Sequence, residues 1–141
     1  MATFDIRSSG PVDFSAVETP VPGFRIIGDA EATGTFVGEG GARFKADEFA
    51  QPDYASGMNH VDGQARLELA NGEEVHIHYF GATPVPDQTT GEMNEDLEFS
   101  IIGGTGQFDG ASGGGRLTTH GNINDRPCIV ASHLLGTIEL V

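Results

Sequence analysis

Glu48 and Tyr79 are the side chains with the most chemistry to offer. Both fall on the apolar parity of an alternating segment: Glu48 follows Phe44 and Ala46, and Tyr79 follows Val75 and Ile77. Successive side chains of a strand point to opposite faces, so both are expected inside. A carboxyl in apolar surroundings has its pKa raised by desolvation, which suits general acid–base work near neutral pH. A phenol nearby can donate to a carbonyl or epoxide oxygen. Asn59 shares the parity of Val61 just ahead of a strand and is the third candidate catalytic residue, placed near an open end. The same parity turns Thr119 inward with Leu117, and Ser132 with Val130 and Leu134. Apolar walls with a few placed polar groups are how small-molecule sites are built.

Other patterns carry less. His76 and His78 form an H-x-H, which puts two imidazoles on one strand face about 7 Å apart. A metal site would add a Glu four or five residues on, where Ala82 and Thr83 stand. Val75, Ile77 and Tyr79 claim the inside, so the two histidines belong to an outer surface and no metal is expected. His60, His120 and His133 are expected near strand ends or on the outer parity. The acidic run Glu92, Glu95, Asp96 and Glu98 lacks the spacing of a calcium loop and reads as a solvated flank. Cys128, the one cysteine, has only Arg126 as a basic neighbour and reads as a buried structural thiol. No G-x-S-x-G elbow for serine hydrolysis occurs.

The elements that must position these residues are strands. Period-2 alternation recurs near 3–7, 24–27 with 30–36, 42–49, 61–69, 74–80, 96–102, 115–121 and 129–140. Asn71-Gly72 marks a hairpin with φ > 0 expected at both positions, and Ile102-Gly103-Gly104-Thr105 opens another turn. Residues 11–23, with three prolines, and 82–91, with two, read as loops, the second long enough to be a lid or a mouth. One all-β domain over 1–141 is expected, with 1–23 as an N-terminal strand and Pro-rich lead-in and 24–141 as the body. About eight antiparallel strands mean a barrel or a sandwich.

Composition narrows the partners. Seven Lys and Arg stand against 21 Asp and Glu in 141 residues, a formal charge of −14. Nucleic acid and anionic membranes need a basic patch, and none is present. Glycine, at 21 residues without a G-X-Y period, argues for many tight turns rather than collagen. No signal peptide or bilayer-spanning apolar run is visible, so a soluble cytoplasmic protein is the expectation.

The segment Gly103-Gly104-Thr105-Gly106-Gln107-Phe108-Asp109-Gly110-Ala111-Ser112-Gly113 is the most distinctive. It is no dinucleotide fingerprint, because Asp109 stands where a glycine is needed and no helix pattern follows. It resembles the signature of the allene oxide cyclase and dirigent superfamily. That resemblance implies a single eight-stranded antiparallel β-barrel, lipocalin-like in outline, with Phe108 and Ala111 plugging one end. It also implies an isomerase or cyclase that needs no cofactor and directs stereoselective ring closure of a small apolar, polyketide- or lipid-like substrate inside the barrel. A non-catalytic carrier of a small ligand is the alternative, and a metal-dependent barrel using His76 and His78 is a third. The resemblance further implies a homo-oligomer, a dimer or trimer, for which the outward Ile102 and Leu135 could serve.

Overall fold

The computed structural model describes residues 1–18 and 22–141. Eight antiparallel strands close into a barrel: β1 (Ala2–Val17), β2 (Gly23–Gly34), β3 (Ala42–Asp53), β4 (Met58–Leu69), β5 (Glu74–Pro84), β6 (Glu92–Gly104), β7 (Ser112–Asn122) and β8 (Cys128–Glu139). Each strand pairs with its neighbours in sequence, and β8 returns to β1. Closure leaves no free edge, so every strand has a partner on both sides. The expected all-β barrel of eight strands is therefore the observed fold. No helix among the described residues is long and apolar enough to cross a membrane.

Four local expectations change. Residues 11–17 were expected in a loop, yet β1 runs through Pro11 to Val17 as a full barrel strand. Pro11 has no N–H, and pairing to β2 lapses between Ser9 and Val12. Pairing to β8 continues through Pro11↔Ile129, which holds the strand in line. The rest of that expected loop includes residues 19–21, which lie outside the described residues. The second loop is likewise shorter, because β5 extends to Pro84 and pairs with Met58. At 69–73 only Gly72 has a positive φ, 87°; Asn71 does not. Gly72 N–H donates to Leu69 O at 2.9 Å and Leu69 N–H to Glu73 O at 2.9 Å, so a three-residue turn with glycine in the left-handed position joins β4 to β5.

The fourth change concerns the glycine-rich segment. Residues 102–104 belong to β6 rather than to a turn. His76 pairs with Gly103 and Ile77 with Ile101, so Ile102 is a bulged residue with its side chain 59% exposed. Alternation from Leu97 and Phe99 keeps Ile101 in the core and turns Ile102 out, and the bulge shifts the register of the pairing beyond it. Leu135, also expected outside, is exposed as well. A short 3-10 turn, Gly106–Phe108, then carries the Phe108 ring into the barrel end.

The two ends of the barrel differ. At one, Phe108 is fully buried and meets Phe36 edge-on, with ring centroids 5.8 Å apart. Phe4, Ile6, Leu67, Val75 and Ile138 complete a solid apolar half. Replacing Phe108 with Ala leaves a void that closed strands cannot collapse. The expected cost is about 3–5 kcal/mol in urea denaturation, with an unchanged slope on denaturant.

A carboxyl–phenol pair in the open half of the barrel

The other half holds the polar groups. Glu48 on β3, Gly63 on β4 and Tyr79 on β5 stand opposite one another in register. The middle position has no side chain, and the Tyr79 ring occupies its place. A Cβ at Gly63 would fall inside that ring and against its hydroxyl. The ring therefore crosses β4, and its hydroxyl donates to Glu48 Oε1 at 3.1 Å. Both residues are buried. The two side chains expected from parity alone are thus brought together by a glycine between them.

A second row lies across the interior. Glu95 on β6 pairs with Thr119 on β7, Thr119 with Ser132 on β8, and Ser132 with Ser8 on β1. Thr119 Oγ1 donates to Glu95 Oε1 at 2.9 Å, while Glu95 Oε2 is buried with no partner. Both rows border one interior cavity of about 60 Å³, whose walls also include Phe44, Met93 and Leu117.

Glu95 corrects the reading of the acidic run as a solvated flank. Glu92, Asp96 and Glu98 are exposed, but Glu95 is 5% exposed. The signal was present in the alternation. Leu97, Phe99 and Ile101 point inward, and β6 begins at Glu92, so the same parity carries back to Glu95 and Met93. Ser8, on the parity of Phe4 and Ile6, is a further inward hydroxyl.

Burial governs the proton affinities here. Desolvation first, and the neighbouring Glu95 charge second, push the Glu48 carboxyl up to about 8 against the opposing bond from Tyr79. Glu95 is raised by burial, with Thr119 pulling the other way. Burial and the two carboxyls raise Tyr79 well above a free phenol, so it stays a donor.

Asn59 does not join this pair. It is buried, with Oδ1 unpartnered, in a separate depression of about 230 Å³ at the open end. Phe14, Phe24 and Tyr54 stand around that mouth, and Ile26 and Met93 border both mouth and cavity. Thr119 and Ser132 line the inner cavity as expected, half-buried.

The remaining candidates sit elsewhere. His76 Nε2 lies 2.9 Å from Glu74, and His78 Nε2 lies 2.7 Å from Asp62 on the outer surface, where His78 stacks on Phe80. Among the described residues, no three His, Cys, Asp or Glu are grouped to hold a metal ion. Cys128 is buried and unpaired. No family model, curated protein or solved structure matches this chain.

Two outcomes follow from this geometry. Gly63→Ala displaces the Tyr79 ring and is expected to cost about 1–3 kcal/mol in denaturant titrations. The folded chain holds the Glu48 proton up to about pH 8, whereas the unfolded chain releases it near 4.5. The native state thus binds the extra proton between those values, and stability falls as pH rises through the window, by up to ~1.4 kcal/mol per pH unit for such a group. Urea melts at pH 5 and pH 8 should show that loss in the wild type and a smaller one in Glu48→Gln.

Proposed function

We propose that the barrel is a cofactor-independent isomerase or cyclase acting on a small, largely apolar substrate. The observation that carries this reading is the buried Glu48 carboxyl, held by the Tyr79 hydroxyl at 3.1 Å on the wall of an interior cavity. Isomerisation and ring closure need a proton given at one atom and taken at another, with no group lost. A carboxyl that titrates near 8 can do both around neutral pH. Glu48 protonates a carbonyl or epoxide oxygen while Tyr79 steadies the carboxylate that results. The same carboxylate then accepts a proton from carbon. Apolar walls hold the chain of the substrate in one folded shape, which sets the stereochemical course.

Size fits a small ligand. The inner cavity of about 60 Å³ takes only a few heavy atoms, and the mouth of about 230 Å³ takes the remainder. Small-ligand pockets span roughly 300–1,000 Å³, so the two together suit a modest molecule reacting at its inserted end. A carrier has no need of Glu48 or Tyr79.

Incubation with a panel of apolar epoxides, enones and polyenes, read by chromatography and mass spectrometry, tests this reading. A product of unchanged mass and new retention time is expected, with turnover lowered about 10²–10⁴-fold in Glu48→Gln and binding retained. Ligands that bind and return unchanged would make the barrel a carrier.

A further inference from the structure

The inner cavity has acceptors in excess of donors. Glu48 and Glu95 both line it, and no Lys, Arg or His does. Glu48 Oε1 receives the Tyr79 hydroxyl, and Glu95 Oε1 receives the Thr119 hydroxyl. Glu95 Oε2 receives nothing, although Glu95 is only 5% exposed. An ionised carboxyl offers about four lone-pair positions and no donor, and buried polar groups are rarely left unpaired. Asp29 of β2 also lines the cavity, and its carboxylate accepts from Arg43 on the outer face at 2.8 Å. The strands β1, β7 and β8 bring only Ser8, Thr119 and Ser132 as polar side chains. Among the described residues, no cation lines the cavity with the pair.

We propose that the space between Glu48 and Glu95 binds a primary ammonium group, so that the ligand is an amine whose apolar remainder lies along the mouth. This rests on the reading above that the cavity is the substrate site, and it narrows the class of substrate. An ammonium brings three donors, no acceptor and a compact positive charge, which is what the wall lacks. A volume of about 60 Å³ has room for the nitrogen and the first part of its chain. The chain then passes Ile26 and Met93 to reach Phe14, Phe24 and Tyr54. The net charge of −14 draws cations toward the barrel and repels carboxylate ligands. Entry of an ammonium ionises the Glu48 carboxyl, which burial pushes up to about 8, so binding releases a proton.

Calorimetric titration with hexylamine, 1-hexanol and hexanoate at pH 7 and 150 mM salt tests the proposal. Two buffers of different ionisation enthalpy report the proton. Hexylamine is expected to bind at least tenfold more tightly than 1-hexanol, releasing up to one proton, and hexanoate not to bind. Glu95→Gln should weaken hexylamine tenfold or more and weaken 1-hexanol by a smaller factor. Equal or tighter binding of 1-hexanol overturns the amine and leaves the proposed function standing. Hexylamine binding without proton release, and indifferent to Glu95→Gln, is surface pairing and also overturns it. Failure of all three to bind removes both the amine and the cavity as the substrate site. The proton count in the wild type decides the question even where Glu95→Gln does not fold.

Discussion

Closure of the sheet is the constraint from which the rest follows. Once β8 pairs with β1, the interior has a fixed girth, and inward side chains must fill it or leave a hole of defined shape. One half is filled by Phe4, Ile6, Leu67, Val75, Ile138 and the inserted Phe108 ring. The other half has small and polar residues at the inward positions: Ser8, Ala46, Gly63, Thr119 and Ser132. The cavity is the consequence of that difference in side-chain volume. Among the described residues, those that line it all lie on strands.

Within that cavity, burial of two carboxyls is costly, and the structure offsets only part of the cost. Tyr79 and Thr119 each supply one hydroxyl, while Glu95 Oε2 has no partner. A desolvated carboxyl responds by holding its proton, which lowers the charge in the site. The same response makes Glu48 a group able to give and recover a proton near neutral pH. Stability and reactivity thus draw on one physical cause, the exclusion of water by closely packed strands.

The outer face follows a different rule. There, acidic side chains are spread among cations that pair with them, as in Arg25 with Asp47, Arg66 with Glu68 and Arg116 with Asp96. Such exposed pairs contribute little each, and the two histidines of the H-x-H take acidic neighbours in the same way. Side chains of one chemical type therefore have opposite roles according to the face they occupy. Glu95 and Asp96 are adjacent in sequence, yet one borders the cavity and the other meets Arg116 in solvent.

Much of this was written in the alternation. A period of two sorts side chains between faces, so Glu48, Tyr79, Thr119 and Ser132 could be assigned to the inside from their apolar neighbours alone. Glu95 obeyed the same parity, but only a strand beginning at Glu92 extends the pattern to it. The parity of a strand says which face a residue occupies and nothing about which residue stands opposite. Pairing register depends on contacts far apart in the chain, and it alone placed Gly63 between Glu48 and Tyr79 and set Asn59 apart in the mouth. Residue types and their spacing by themselves determined an all-β chain of about eight strands with few inward polar groups, because side-chain direction is a local property of the backbone. Tertiary structure decided that two carboxyls share one cavity, because only closure of the barrel brings β3 and β6 to face each other across it.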